Sequence, residues 1–156
     1  MTKKYPWETK WTTRAKTAIN FMSSNPSIID LGGGQGEIYG LLAGDCNYTS
    51  IDLERWNEHT IVADLNKEFP VIEPAQFVLC LGTIEYIVDA EHFLKNIKSY
   101  SNRLIISYRK HSNGGMDRNN FFDFAQFKQK LYEAGWEIIC SKKITKIEKV
   151  FFCKHD

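Results

Sequence analysis

The residues with the clearest chemical potential lie in one short segment, in which an aspartate precedes a group of glycines. Asp30 is followed by Gly32, Gly33 and Gly34 and then by Gly36, and a short β-branched apolar run stands directly before them. Glycines after a buried strand allow the backbone to turn tightly and to approach a ligand, and the helix that follows offers unpaired N–H groups. The segment is therefore predicted to hold a ligand through its backbone.

The glycine spacing disfavours two common ligands of such turns. A P-loop for nucleoside triphosphates requires Gly-Lys followed by Ser or Thr, and no such sequence follows the turn. A dinucleotide fold requires G-x-G-x-x-G, whereas Gly32, Gly34 and Gly36 follow G-x-G-x-G, with Glu37 where the third glycine would stand. Asp30 weakens the dinucleotide interpretation further, because a carboxylate just before the turn repels a diphosphate and suits an ammonium group.

Strands and helices alternate along the chain around this segment. Hydrophobic periodicity predicts helices over 12–24, 36–43, 91–100 and 121–134, and strands over 27–31, 47–53, 59–65, 75–82, 103–108, 136–144 and 149–155. This order predicts an α/β fold with a doubly wound, mostly parallel seven-stranded sheet and an antiparallel C-terminal hairpin. Ligands of such sheets bind outside the carboxyl ends of the strands, so the site is expected there.

Four motifs at successive strand ends together resemble a known enzyme family. D-L-G-G-G-Q-G at 30–36 resembles motif I, D-x-G-x-G-x-G, of the class I S-adenosylmethionine-dependent methyltransferases. I-D-L at 51–53 and A-D-L at 63–65 place acids where that family has them, and L-C-L-G-T-I-E-Y-I at 79–87 resembles its fourth-strand motif. The resemblance covers roughly 27–107 and implies a Rossmann-like methyltransferase fold with S-adenosyl-L-methionine as the cofactor.

The resemblance also implies roles for individual residues. It makes Asp52 the ligand of the ribose hydroxyls and Asp64 the contact of the adenine amino group. The chemistry of the cofactor agrees, since Asp30, through water or backbone, and the Gly32 carbonyl suit its amine, while leucines beside the acids can enclose the adenine. The complete predicted cofactor set is Asp30, Gly32, Gly33, Gly34, Gly36, Asp52, Leu53, Asp64, Leu65, Leu81 and Gly82.

The methyl-acceptor site is less distinct in the sequence. Methyl transfer is an in-line displacement at a sulfonium carbon, so the enzyme mainly positions the acceptor and sometimes supplies a base. No NPPY-like or DPPY-like stretch and no Pro-Cys nucleophile is present, which disfavours amino-methylation of bases or glutamine and carbon methylation of pyrimidines. His111, Glu85 and Tyr108 are the catalytic candidates. Alternatively, His111 is an ordinary surface residue and Glu85 caps the next helix.

Composition limits the remaining possibilities. The 156 residues are expected to form one methyltransferase domain, with 1–25 as an N-terminal helix and lid segment that carries Tyr5, Trp7 and Trp11. Twenty basic and nineteen acidic residues give no global attraction to nucleic acid, and no apolar run approaches a membrane span. The protein is expected to lie in the cytoplasm and to bind no metal ion. The four cysteines have no C-x-x-C spacing, and those in apolar runs, including Cys140, are expected to be buried free thiols.

Three functions fit this sequence. The first is a methyltransferase for a small molecule, such as a sugar or another biosynthetic intermediate, with the acceptor pocket completed by a homo-oligomer or a partner chain. A loop with Gly114 and Gly115 is expected to border this pocket. The second is an RNA methyltransferase, suggested by the local basic stretch at 141–149. The third is a non-catalytic accessory subunit that keeps only the cofactor pocket.

Overall fold

The computed structural model describes residues 8–110 and 118–156, and side chains from residue 12 onward within these ranges. Its helices are α1 (Glu8–Asn20), α2 (Glu37–Leu41), α3 (Ala90–Asn96) and α4 (Phe124–Glu133). Its strands are β1 (Ser27–Leu31), β2 (Asn47–Asp52), β3 (Thr60–Val62), β4 (Phe77–Cys80), β5 (Arg103–Arg109), β6 (Glu137–Lys143) and β7 (Glu148–Lys154). Short 3-10 helices at Ile84–Tyr86 and Ile97–Ser99 were not predicted.

All seven strands join one sheet in the order β3-β2-β1-β4-β5-β7-β6. Strands β1 to β5 pair in parallel, whereas β7 runs antiparallel to both β5 and β6. The predicted doubly wound sheet and its antiparallel hairpin are therefore confirmed. Chain order reverses between β1 and β4, so their carboxyl ends form the switch point at which such sheets bind ligands.

Helices cover both faces of the sheet and form two separate cores. On one face, α3 and α4 bury a large aromatic and aliphatic cluster that includes Phe93, Phe127 and Trp136. On the other face, α1 and α2 bury a smaller cluster that includes Ala18 and Ile38. Parallel strands covered on both faces must be apolar throughout, which explains why β4 is buried at every position.

Side-chain caps fix where two of the helices begin. The Asp89 carboxylate accepts a hydrogen bond from the backbone N–H of His92 and begins α3. A capping box between Asp123 and Gln126 begins α4. These caps satisfy N–H groups that have no partner within the helix. The alternative that Glu85 caps the helix after β4 is therefore wrong, because Asp89 has that position.

Strand position explains one incorrect burial prediction. Cys80 and Cys153 are buried, but Cys140 is exposed and all four cysteines are free. Cys140 lies on β6, one of the two edge strands of the sheet, so its apolar neighbours in sequence do not place it in a core. None of the described helices is long and apolar enough to cross a bilayer.

Candidate cofactor and acceptor site

The turn after β1 adopts a backbone that side chains rarely allow. Gly32, Gly34 and Gly36 have φ values of +70°, +54° and +82°. A Cβ atom on Gly32 would overlap the Thr83 side chain. The Gly32 N–H donates to the Ile51 carbonyl at 2.7 Å, which ties the turn to the end of β2. Glycine is thus required both by left-handed φ and by close packing.

Asp52 lies at the carboxyl end of β2 and faces this turn. Its Oδ2 accepts the Gly34 N–H at 2.9 Å, and its Oδ1 accepts the Leu53 N–H at 2.7 Å. Asp52 is half-buried. A carboxylate offers about four acceptor positions, so these two backbone contacts leave capacity for a ligand with two donors.

Asp30 lies beneath the turn rather than beside it. It is buried, and its Oδ2 accepts the Tyr48 hydroxyl at 2.7 Å. A Cβ atom on Gly33 would lie 2.9 Å from the same oxygen, so the turn covers the carboxylate closely. Burial raises the pKa of Asp30 to about 6, although the Tyr48 hydrogen bond opposes the shift. A ligand above the turn would therefore be separated from Asp30 by the turn.

Leu53 follows β2, whereas Asp64 and Leu65 follow β3, and the three side chains differ in exposure. Leu53 is 66% exposed directly after β2, whereas Leu65 is buried in the core beside α3. Asp64 is half-buried, and its Oδ1 accepts the Asn66 N–H at 3.0 Å. Asp52 thus ends β2, and Asp64 lies two residues after the end of the neighbouring strand β3. We call these residues and the glycine turn the glycine-turn half of the site.

Gly82 connects this half to the end of β4. Leu81 and Gly82 are half-buried, and the Gly82 N–H donates to Ser107 Oγ at 2.8 Å. The next residue, Thr83, donates its hydroxyl to the Leu31 carbonyl at 2.9 Å. The carboxyl ends of β1, β4 and β5 are thereby held together by side-chain hydroxyls.

Arg14 of α1 packs against the same turn, a contact that the sequence analysis missed. A Cβ atom on Gly82 would lie 2.8–3.0 Å from the guanidinium atoms of Arg14. Arg14 Nη1 also lies 3.2 Å from Oε2 of buried Glu148, at the start of β7. These two partners are 134 residues apart. No local pattern in the sequence joins residues at such separation.

Glu85 is a buried carboxylate with one unused oxygen. Its Oε1 accepts the Arg109 N–H at 2.8 Å, while Oε2 is buried without a hydrogen-bond partner among the described residues. Burial raises the pKa of Glu85, and the charges of Arg14 and Arg118 oppose that shift. Such a carboxylate is available to accept a proton or a hydrogen bond. Glu85, Tyr108 and the ends of β4 and β5 form what we call the β4–β5 half.

Tyr108 lies in the core, and its hydroxyl is already engaged. It donates to the Phe122 carbonyl at 2.9 Å and accepts the Phe122 N–H at 2.7 Å, with Arg118 Nη2 at 3.2 Å. The ring stacks on Phe127 with centroids 4.3 Å apart. These contacts make Tyr108 a residue that holds the chain after β5 against the sheet.

Several predicted residues lie outside the described part of the chain. These are His111, the loop glycines Gly114 and Gly115, Tyr5 and Trp7, and the side chain of Trp11. Among the described residues, no three histidine, cysteine, aspartate or glutamate side chains are grouped to hold a metal ion.

Comparison with known proteins extends the description of the fold. No protein-family model and no curated protein matches the sequence. Solved structures do match it. The first is Burkholderia thailandensis 1,6-didemethyltoxoflavin-N1-methyltransferase with bound 1,6-didemethyltoxoflavin and S-adenosylhomocysteine. It has a TM-score of 0.77 at 14% identity, over 96% of this chain and 81% of that chain.

Two further structures agree with the first. A TehB-like S-adenosylmethionine-dependent methyltransferase from Corynebacterium glutamicum has a TM-score of 0.74 at 17% identity, over 92% of this chain and 88% of that chain. A Haloferax volcanii methyltransferase in complex with the Trm112 activator has a TM-score of 0.75 at 13% identity, over 95% of this chain and 91% of that chain. The seven-stranded sheet and its antiparallel hairpin therefore have the class I methyltransferase fold.

Proposed function

We propose that this chain is an S-adenosylmethionine-dependent methyltransferase that acts on a small-molecule acceptor. The observation that carries the proposal is the position of Asp52 at the end of β2. Its carboxylate accepts hydrogen bonds from the Gly34 and Leu53 N–H groups and can still accept hydrogen bonds from a ligand. A ribose diol needs two such acceptors at one carboxylate. The bound S-adenosylhomocysteine of the Burkholderia thailandensis enzyme supports the same cofactor.

The cofactor-binding residues follow from this position. Asp64 receives the adenine amino group, with Leu53 and Leu65 beside the ring. The turn at 32–36 and the residues Leu81 and Gly82 hold the amino-acid end, while Asp30 favours the ammonium group through the turn.

Glu85 is proposed as the base for the methyl acceptor. An N–H or O–H acceptor would donate toward Glu85 Oε2, the buried oxygen without a partner among the described residues. The bound cofactor would supply the methyl group, with its sulfur keeping the electron pair of the broken bond, and Glu85 would receive the proton that the acceptor loses. A raised pKa makes Glu85 a stronger base at neutral pH. His111 and Tyr108 stay predictions, and the contacts of Tyr108 favour positioning over catalysis.

A small acceptor is favoured over RNA by the setting of the basic stretch. Lys149 Nζ lies 4.6 Å from the centre of the Phe124 ring, so this lysine packs against the protein. Lys142 and Lys143 are exposed on β6, the outer strand of the sheet. Exposed lysines on an outer strand also prevent edge-to-edge pairing, which is sufficient reason for their presence.

The test is calorimetric titration of the purified chain with S-adenosylhomocysteine, with NADH as a parallel ligand. We expect micromolar binding of S-adenosylhomocysteine, a loss of at least about 100-fold in Asp52→Ala, and no NADH binding. Asp45→Ala is the matched control, because Asp45 is an exposed acid at the opposite, amino end of β2. Absence of binding by the unaltered chain would refute the proposed cofactor.

Transfer of a labelled methyl group from the cofactor to a metabolite extract separates an enzyme from an accessory subunit. Glu85→Gln should bind S-adenosylhomocysteine normally and lose about 100-fold or more in transfer, since a base contributes a factor of that order. Binding without transfer by the unaltered chain would support the accessory subunit instead.

A further inference from the structure

The contact between Arg14 and Gly82 brings a cation to the edge of the proposed cofactor site. The Arg14 side chain is 14% exposed, and its guanidinium covers the Gly82 backbone at the switch point. Gly82 has a φ of +71°, a left-handed backbone that glycine accepts readily. Any side chain at this position would displace the guanidinium. The close approach therefore depends on glycine.

The surroundings of Arg14 contain three buried acids. Glu148 is paired with it directly, and the charge of Arg14 also lowers the pKa values of Asp30 and Glu85, although burial raises both by a larger amount. A region rich in carboxylates attracts an ammonium or sulfonium group. The same region repels a ligand carboxylate unless a cation stands beside it.

S-adenosylmethionine carries both kinds of group at its amino-acid end. Asp30 and the turn account for the ammonium group, but the predicted set contains no basic residue to pair with the carboxylate. Arginine presents a planar fork of N–H donors that matches a carboxylate, and it keeps its charge at all relevant pH values. Ion pairing with Glu148 occupies one side of that fork.

We infer that Arg14 binds the carboxylate of the cofactor's amino-acid end and that Glu148 is a positioning residue for it, an inference that rests on the proposed cofactor. Glu148 holds the guanidinium over Gly82 before the ligand arrives. The backbone of Glu148 is in turn held in the β6–β7 turn, where its N–H donates to Thr145 Oγ1 at 3.1 Å. Helix α1 thus belongs to the cofactor site and does more than cover the sheet.

Paired ligands that differ in one carboxylate test this inference. We would titrate the chain with S-adenosylmethionine and with its decarboxylated analogue, and with 5′-methylthioadenosine as a ligand that lacks the whole amino-acid end. The unaltered chain should prefer S-adenosylmethionine to the analogue by about 10- to 100-fold, the range of a charge-assisted hydrogen bond. Arg14→Gln should abolish this preference and leave affinity for 5′-methylthioadenosine unchanged.

Other variants separate ligand binding from a structural role. Lys16→Gln, which removes an exposed cation from the same helix, should keep the full preference. Arg14→Lys should keep part of it, and Glu148→Gln should lose less than Arg14→Gln does. The inference is wrong if Arg14→Gln keeps the preference, or if it weakens all three ligands equally. If Arg14→Gln does not fold, Arg14→Lys and Glu148→Gln take its place. The inference is then wrong if both variants keep the full preference for S-adenosylmethionine over its decarboxylated analogue. If the unaltered chain binds none of the three ligands, the proposed cofactor itself is refuted.

Discussion

The two halves of the site are built in different ways. In the glycine-turn half, backbone N–H groups converge on Asp52, and glycines with left-handed φ leave the space for that approach. In the β4–β5 half, side chains bind backbone groups of other segments, as Glu85 does with the Arg109 N–H and Tyr108 does with the N–H and carbonyl of Phe122. The first arrangement fixes the turn against the end of β2 through backbone N–H groups. The second leaves a single buried oxygen, Glu85 Oε2, without a partner among the described residues.

This difference predicts that single substitutions act differently in the two halves. A change in the turn should remove ligand binding, because the backbone itself is the proposed ligand surface. A change in the β4–β5 half should alter stability or transfer and leave cofactor binding intact.

Gly32→Ala should produce the largest effect. The added methyl group meets Thr83 and forces a side chain into a φ of +70°. Strain and overpacking together should cost about 2–4 kcal/mol of unfolding free energy and abolish S-adenosylhomocysteine binding. Urea unfolding and calorimetry measure the two effects.

Two other glycines serve as controls for this substitution. Gly34→Ala meets no atom within 4 Å but keeps the unfavourable φ of +54°, so it should cost about 1–2 kcal/mol. Gly40→Ala, in α2 and also in open space, should stabilise the chain by about 0.5–1 kcal/mol. Equal effects at the three positions would contradict the assigned role of the turn.

Asp30→Asn should stabilise the chain at alkaline pH. Since the pKa of Asp30 is raised to about 6, its buried charge opposes folding above that pH, and the opposition disappears as pH falls below about 4. The variant should gain about 2–3 kcal/mol at pH 8 and little at pH 4, because asparagine keeps an acceptor for the Tyr48 hydroxyl. Urea unfolding at the two pH values measures the gain.

Asp45→Asn is the matched control, since Asp45 is exposed and its substitution should change stability by less than about 0.5 kcal/mol at either pH. A gain in Asp30→Asn that is equal at the two pH values would mean that charge burial is not its cause.

The same difference between the halves explains what sequence reasoning recovers. Asp30 and the glycines are contiguous, and Asp52 and Asp64 follow recognisable strands, so alternation and spacing locate the glycine-turn half. The strand order also follows, because apolar runs of strand length alternate with amphipathic helices.

The β4–β5 half, and the Arg14–Glu148 pair beside it, depend on packing that no local pattern encodes. Arg14 meets Glu148 only because α1 lies across the sheet and β7 begins where β5 ends. The free oxygen of Glu85 likewise depends on the Arg109 N–H having bound the other oxygen. The exposure of Cys140 depends on which strand is outermost, which the apolar run around it does not reveal.

Tyr108→Phe should produce the smallest of the three main effects, and it tests most directly whether the two halves act independently. The substitution keeps the ring that stacks on Phe127 but removes the hydroxyl that satisfies the Phe122 N–H and carbonyl. Leaving those groups unpaired should cost about 1–2 kcal/mol. Because the glycine turn is untouched, S-adenosylhomocysteine affinity should stay within about twofold. Tyr132→Phe, at a side chain that is 74% exposed, should change neither quantity. If Tyr108→Phe weakened ligand binding as Gly32→Ala is expected to do, the two halves would be coupled, and the claim that they respond independently to substitution would be wrong.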